Sequence, residues 1–217
     1  MDKQGSRARR WGLAGAGVLA LALIVLFVYG RQVYSESRSV LAFIDALEEE
    51  DAKRLSESLI TDRGGRPVDE AGARKLLEYF AEHNLTERAI EDVQRGYEGY
   101  MPDTRLLAVV KDGKRFGLYD RYRIAVTTST VEVSTNFKDT VISLDGEPVA
   151  TADTDDYRAE LGPLMPGLYK LEASYDGEFA HLRAEQTIEV SGQGGTIPAD
   201  LALNGGTVQV EANYENA

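Results

Sequence analysis

Residues 131–179 read VEVSTNFKDTVISLDGEPVATADTDDYRAELGPLMPGLYKLEASYDGEF, and this stretch decides the fold. Its first residues alternate between apolar and polar, with Val131, Val133 and Thr135 on one face, as in a half-buried β-strand. Three dipeptides mark turns: Asp145-Gly146, Pro166-Gly167 and Asp176-Gly177. Further strands are expected around 141–144, 168–175 and 185–190. We therefore predict an all-β, immunoglobulin-like sandwich of about 60 residues over 130–190.

The residues after this module predict a linker and a further module. Ser191-Gly192-Gln193-Gly194-Gly195 has the composition of a flexible connector, and 191–206 is expected to be a linker. The pattern T-V-x-V-x-x-N-[FY]-x-[DN]-[TA] occurs at 130–140 and again at 207–217, an offset of 77 residues. Such self-similarity indicates a repeated unit. We expect 207–217 to begin a second, incomplete β-module.

Upstream of the module, the sequence predicts a β-hairpin. Residues 106–111 and 114–119 are rich in strand-forming residues and flank Asp112-Gly113. Asp-Gly suits the two positive-φ positions of a type I′ turn. Residues 123–126 continue in extended form and complete a membrane-proximal domain expected over 35–126.

The rest of that domain has the period of short amphipathic helices. The first helix is expected to bury Val40, Leu41, Ile44 and Leu47. A second, starting near Asp51, is expected to bury Leu55 and Leu59 before 62–67 breaks it. A third, with Asp69 as its N-cap, is expected to bury Ala73, Leu76, Leu77 and Phe80 and to end near His83. A fourth, over 86–95, is expected to bury Ala89, Ile90 and Val93.

The N-terminal region predicts a membrane anchor. Residues 11–30 lack charge, and ten of these twenty are Leu, Ile, Val or Phe. As a helix they would be ~30 Å long and favour insertion by about 3–6 kcal/mol. Trp11 and Tyr29 stand at the two ends, where aromatic rings prefer the interface. A cleaved signal peptide is the alternative, but the run is long for one and a poor cleavage context follows.

Charge orients the anchor. Arg9 and Arg10 precede the span within the cytoplasmic tail expected at 1–10, and Arg31 follows it closely. The positive-inside rule therefore predicts a cytoplasmic N-terminus and an extracytoplasmic C-terminal region. Gly12 and Ala16 form a small-xxx-small pair that could support a homo-oligomer, although small residues are common in membrane helices.

Composition excludes several functions. The chain has no cysteine, so disulfides, iron–sulfur clusters and thiol catalysis are excluded. The formal net charge is −12, and removing the +3 of residues 1–10 leaves −15 on 31–217. An acidic region of that size repels polyanions, which makes nucleic acid a poor partner. Binding an anionic wall polymer would need divalent cations or local basic patches.

Residues 131–179 resemble the repeated β-domains of the TcaA/YvbJ-like membrane proteins of Gram-positive bacteria, and they also resemble PEGA domains. The stretches FIDALEEEDAKRLSESL (43–59) and FGLYDRYRIAV (116–126) are similar to that family's membrane-proximal domain. The resemblance covers roughly 35–190. Departures are expected at both ends: with no cysteine the family's cytoplasmic zinc ribbon is missing, as are its later C-terminal domains.

The resemblance implies an α+β architecture and a cell-envelope role linked to glycopeptide sensitivity and wall-polymer handling. It implies no catalytic residues and no cofactor. We therefore expect a non-catalytic scaffold that binds a wall component or an envelope protein. The alternatives are an envelope-stress sensor and, less favoured, an envelope hydrolase or transferase.

No catalytic constellation or metal site emerges from the residues. His83 and His181 lack triad partners, and a surface role is preferred for both. Residues 153–156 are acidic but lack the glycine and distal glutamate of a calcium loop, so a solvated loop is favoured. Residues 48–50 lie on one helix turn and are interpreted as a solvent-exposed acidic face rather than as the carboxylate pair of a glycosidase. A set of tyrosines could stack on sugars but is better explained as half-buried residues: Tyr97, Tyr100, Tyr119, Tyr122 and Tyr157.

Overall fold

The computed structural model describes residues 21–97, 106–178 and 180–204, and its fold class is α+β. The chain forms two compact units. The first takes in residues up to Ile60, Pro67–Ala73 and Thr86–Ala125. The second takes in Thr61–Arg66, Arg74–Leu85 and the chain from Val126 onward.

Helices dominate the first unit. The described chain opens in a helix over 21–33 (α1), and four more follow in the described ranges: α2 Glu36–Glu48, α3 Ala52–Ser58, α4 Glu70–His83 and α5 Thr86–Tyr97. Helix α4 contributes its first turn to this unit and the rest to the second. Helix α2 packs against α3 and α5, and α5 packs against a β-hairpin. Short amphipathic helices of this kind are stabilised mainly by packing.

Two helix starts that the sequence predicted, one near Asp51 and one capped by Asp69, are formed by side-chain caps. Asp51 accepts a hydrogen bond from Arg54 N at 3.0 Å and begins α3. Asp69 accepts one from Gly72 N at 2.8 Å and begins α4. Each carboxylate satisfies an otherwise unpaired N–H of the first turn. His83 is the last residue of α4, as predicted.

Most of the predicted buried positions are confirmed, but Leu77 and Ile90 are only half-buried, and two further points need correction. Leu41 is exposed, and Phe43 and Ala46 are buried instead, because the buried face of α2 is rotated from the predicted stripe. Leu59 is buried as predicted but lies in a strand, because the helix ends at Ser58. That strand, β1 Leu59–Thr61, was not predicted.

The predicted hairpin exists, but its turn was placed wrongly. Strand β2 runs from Leu107 to Arg115 through Asp112-Gly113, and β3 runs from Tyr119 to Val126. The turn lies at Phe116-Gly117, where both φ angles are positive (52° and 70°) and Leu118 N donates to Arg115 O. This is type I′ geometry. Asp112 is instead a strand residue whose carboxylate pairs with arginines of β3. The three strands form one sheet in the order β1-β3-β2.

The second unit is built around a β-sandwich. One sheet has the order β10-β4-β7 and the other β6-β5-β8-β9. Their strands are β4 Ser129–Thr135, β5 Val141–Leu144, β6 Glu147–Thr151, β7 Tyr157–Leu164, β8 Gly167–Asp176, β9 His181–Val190 and β10 Thr196–Asp200. Strand β4 buries Val131, Val133 and Thr135, as predicted. Asp145-Gly146 forms the β5–β6 turn, with both φ angles positive.

The linker expected at 191–206 is contradicted by the structure. Within it, β10 pairs in parallel with β4, and Leu201 and Leu203 are buried in the sandwich core. Pro198 is compatible with β10 because β10 lies at the edge of its sheet, where proline is tolerated. Residues 207–217, expected to open a further module, lie outside the described residues.

The predicted anchor is only half covered by the structure. Residues 11–20 lie outside the described residues, whereas 21–30 belong to α1. Large apolar side chains of this segment, from Leu21 to Tyr29, are 43–66% exposed. Of the helices in the described ranges, none combines the length and the apolarity needed to cross a membrane.

Candidate functional site

The candidate site is a groove in the first unit, formed by α2, α3 and the β2–β3 hairpin. It encloses about 710 Å³. Its charged lining residues are five arginines and three acids: Arg38, Arg54, Arg115, Arg121, Arg123, Asp45, Glu57 and Asp120. We call it the arginine groove. Its excess of positive charge contrasts with the chain's net charge of −12.

Two of the arginines are held by one carboxylate. Arg121 bonds Asp112 Oδ2, and its Nε donates to Asp112 O at 2.9 Å. Arg123 Nε lies 3.3 Å from Asp112 Oδ2. Burial, and then the neighbouring Arg121, lower the pKa of Arg123, while Asp112 opposes that shift. The lowered pKa of Arg123 therefore reflects partial desolvation first and the like charge of Arg121 second, since both disfavour the charged form.

Neighbouring side chains also hold two further arginines of the groove. Arg54 pairs with Glu49, and Arg115 lies over the ring of Tyr34 at 5.2 Å. A cation over an aromatic face is held in place without losing its charge. On the hairpin, Lys111 bonds Asp120 at 2.6 Å, which raises the pKa of Lys111 and lowers the pKa of Asp120.

This arrangement is suited to binding an anion. Guanidinium groups present planar forks of donors that match phosphate and carboxylate oxygens. Catalysis by a general base requires a group with a matched pKa within reach of a reacting proton. Among the described residues there is no group of three or more His, Asp or Glu side chains that could hold a metal ion. The groove therefore fits an anionic group of moderate size.

The predicted anchor residues fall in two sets. Arg9, Arg10 and Trp11 lie outside the described residues. Tyr29 is exposed on α1, and Arg31 lies in the last turn of the same helix. Arg31 also lines a smaller cavity of about 330 Å³ beside the hairpin.

The two histidines lie in the second unit, and both face carboxylates. His83 Nε2 is 3.5 Å from Glu189 Oε1, and its ring lies 4.5 Å from that of Tyr79. His181 Nδ1 is 2.9 Å from Asp176 Oδ1 and is well exposed. These are local pairs at the end of a helix and the start of a strand. Neither pair contains the nucleophile that a triad requires.

The acidic runs have local roles where the structure describes them. Within 153–156, Asp155 accepts a hydrogen bond from Lys138 N at 2.9 Å and so fixes a neighbouring turn. Within 48–50, Glu49 pairs with Arg54. Both runs are exposed, as expected for solvated faces.

The five tyrosines considered for sugar stacking lie in different structural elements or outside the described residues. Tyr119 and Tyr122 are half-buried in β3, and Tyr157 packs against the sandwich core. Tyr100 and the side chain of Tyr97 lie outside the described residues. The prediction that these residues are half-buried is therefore confirmed for these three.

The arginine groove was not predicted as a site. Its arginines are dispersed between positions 38 and 123, and each alone resembles an ordinary surface charge. One signal was available: five basic residues against two acids between 111 and 123, in a strongly acidic chain. From the sequence we predicted only that binding an anionic polymer would need a local basic patch or divalent cations.

Comparisons with known proteins agree with this architecture. The family model described as the TcaA protein second domain matches residues 36–126, which include the whole arginine groove except Val33 and Tyr34. The uncharacterized membrane protein YvbJ of Bacillus subtilis (strain 168) is 23% identical over 188 residues. That alignment covers 85% of this chain and 30% of the relative, so the chain spans under a third of that protein's length. No solved structure matches significantly.

The fold and the groove define a modular α+β protein with a basic binding groove in its first unit and a β-sandwich in its second. The two matches place it more closely: residues 36–126 match the TcaA protein second domain, and the chain is similar to the membrane protein YvbJ.

Proposed function

We propose that this chain is a membrane-anchored, extracytoplasmic protein of the cell envelope that binds without catalysis. The single observation that carries the proposal is the arginine groove, which collects five arginines in a chain of net charge −12. The occupant would be an anionic group of a wall component or of an envelope protein.

The anchor is proposed to be the helix over 11–30, with a cytoplasmic N-terminus. Support comes from the exposed apolar side chains of α1 and from the similarity to YvbJ, which is described as a membrane protein. Because Arg31 ends the apolar run, the arginine groove would follow the membrane surface closely along the chain. Glycopeptide sensitivity and wall-polymer handling, which the resemblance implies, are part of this proposal.

Charge explains why a groove is needed. At long range an acidic region repels an anionic polymer, but screening limits that repulsion to about 8–10 Å at physiological salt. Inside that distance, local arginines decide the sign of the interaction. Binding through the groove should therefore survive moderate salt and weaken at low salt, where the global repulsion is felt.

The test is co-sedimentation of the full chain with wall sacculi, with and without teichoic acid, across a salt and calcium series. The groove variant is Arg38→Gln with Arg54→Gln. The matched control is Arg95→Gln with Arg158→Gln, which removes the same charge from exposed ion pairs elsewhere. We expect saturable binding by the native chain and the control, and a clear loss by the groove variant.

One result would contradict the proposal, and a second would exclude one of its two classes of ligand. Equal loss in both variants would mean that only net charge matters. Absence of binding under every condition would exclude direct wall recognition and leave a protein ligand to be sought with the same pair of variants.

A further inference from the structure

We propose that the tip of the β2–β3 hairpin, residues 114–118, inserts into the surface of the lipid bilayer beside α1. This inference rests on the proposed membrane anchor and adds to it a second contact with the membrane. The tip residues Lys114, Arg115, Phe116 and Leu118 would form a basic and apolar membrane-surface loop.

The hairpin is attached to the end of the apolar helix. Tyr119 donates a hydrogen bond to Leu26 O at 3.2 Å, and its ring stacks on Phe27 with the centroids 5.8 Å apart. Gly30 makes this approach possible, because a Cβ there would lie 2.3 Å from Tyr119 Cζ. Tyr34 contacts the rings of Phe116 and Tyr119 at 6.4 and 5.4 Å.

These contacts fix the depth of the hairpin. They run from Leu26 to Tyr34 and are centred on Gly30, the last residue of the predicted span. At about 1.5 Å per helical residue, they extend ~6 Å to either side of the hydrocarbon boundary. This is the interfacial zone, where Tyr, Trp and basic side chains are enriched in membrane proteins.

The side chains at the tip are of the kind that such a zone requires. Phe116 and Leu118 are 77% and 62% exposed, and they follow directly after Lys114 and Arg115. An amphipathic surface with basic and large apolar side chains binds anionic lipid through both charge and buried apolar area. The small cavity of about 330 Å³, lined by Phe27, Arg31, Lys114 and Leu118 among others, opens at the same place.

The conformation of Phe116 supports the same conclusion. It occupies a left-handed position of the turn, with φ 52°, immediately before Gly117. Asparagine is favoured in that position of a type I′ turn, and a bulky residue there is strained. Phe116 meets the Tyr34 ring at its edge, but 77% of its side chain remains exposed. Insertion into lipid supplies the apolar surroundings that its side chain lacks.

The tip is tested by lipid quenching of a single tryptophan. Trp11 is the only tryptophan of the chain, so Trp11→Phe provides a silent background. Phe116→Trp and Leu118→Trp report on the tip, and Val149→Trp, at an exposed apolar position of β6, is the control. The full chain is reconstituted into vesicles of anionic phospholipid, with and without brominated acyl chains.

We expect brominated lipid to quench the tryptophans at 116 and 118 and to leave that at 149 emitting. Lys114→Gln with Arg115→Gln should reduce the quenching at 118 in anionic vesicles and leave it unchanged in zwitterionic ones. Phe116→Asn, which suits the turn, should preserve the melting temperature or raise it while weakening the quenching at 118. That separation of stability from lipid contact would not arise from a purely structural role.

The outcomes distinguish the two proposals. If the chain floats with the vesicles but the tip tryptophans respond to aqueous iodide like the control, the hairpin proposal is wrong and the anchor stands. If the chain does not float, the anchor and the hairpin proposal both fail. If a soluble polyanion protects the tip tryptophans from iodide while brominated lipid does not quench them, the tip binds a polymer and the proposal of lipid insertion is wrong.

Discussion

Lys75 Nζ lies 4.1 Å from the centroid of the Tyr169 ring within the second unit. The same nitrogen donates to Leu168 O at 2.6 Å and pairs with Asp145 Oδ2 at 2.9 Å. One side chain of α4 therefore contacts the start of β8 and the β5–β6 turn. A cation that meets a ring, a carbonyl and a carboxylate together is more restrained than one in an ordinary surface ion pair.

Replacing this lysine should destabilise the second unit. Lys75→Met keeps the apolar stem and removes the charge, and we expect a loss of about 1–3 kcal/mol in the free energy of unfolding. Urea denaturation followed by circular dichroism measures it. Lys53→Met, at an exposed position of α3, is the control and should change stability by less than about 0.5 kcal/mol. Equal effects would show that Lys75 is only a surface charge.

A methyl group at Gly30 should act against the usual helix preference. Alanine within a helix is normally about 1 kcal/mol more favourable than glycine. Here the new Cβ would meet the Tyr119 ring, so Gly30→Ala should displace it and lower the melting temperature in detergent or lipid. Tyr119→Leu in the same chain should relieve the clash and recover the alanine preference. Stabilisation by Gly30→Ala alone would refute this packing.

Asn136 should be more important than its exposed neighbours in the sandwich. Its side chain accepts from Leu203 N at 2.7 Å and donates to Leu203 O at 3.2 Å, and so it continues the pairing of β4 with the chain beyond β10. Asn136→Ala leaves both groups of Leu203 without these partners and should cost about 1–3 kcal/mol.

Ser134→Ala is the matched control, since it removes only an exposed hydrogen bond to Asp200. Urea denaturation compares the two variants, and amide exchange at Leu203 locates the effect. If exchange at Leu203 is as slow in Asn136→Ala as in the native chain, the bidentate role is wrong.

The Lys111–Asp120 pair gives the hairpin a defined pH dependence. The pKa of Asp120 is lowered from its ordinary 3.8, first by its hydrogen bond from Lys111. The stabilisation is therefore complete above pH 3.8 and is lost as the pH falls through the lowered folded-state pKa. The pKa of Lys111 is raised, so on the alkaline side the pair persists through 10.5 and is lost above it.

Lys111→Met should raise the pKa of Asp120 toward its ordinary value. The shift should be partial, because Lys114 and Arg31 still lower that pKa. Titration of the Asp120 carboxyl carbon by NMR measures it, with Lys53→Met as the control. An unchanged titration in Lys111→Met would mean that the two side chains do not meet in solution.

Local signals in the sequence predicted much of this fold. Helices begin at Asp51 and Asp69 because a carboxylate just before the first turn accepts a hydrogen bond from one of its unpaired N–H groups. Asp145-Gly146 was a turn because both residues tolerate positive φ. In each case the residue and its partner are at most a few positions apart in the chain.

The errors came from contacts between distant residues. Asp112-Gly113 has the stronger turn composition, but Arg121 and Arg123 bind Asp112 within the sheet and the turn falls at Phe116-Gly117. Residues 196–203 looked like a linker because nothing local revealed pairing with β4, some 66 positions earlier. The arginine groove was missed for the same reason, since its residues converge only in the folded unit.

The parallel pairing of β10 with β4 has a mechanical consequence. The chain enters the sandwich at the start of β4 and leaves it after β10, and these neighbouring strands run in the same direction. A pull on the two ends of the sandwich would slide one strand along the other and strain all of their hydrogen bonds at once. Bonds that must break together resist force better than bonds that open one after another. The sandwich is thus built to transmit tension along its length without unravelling from its edge.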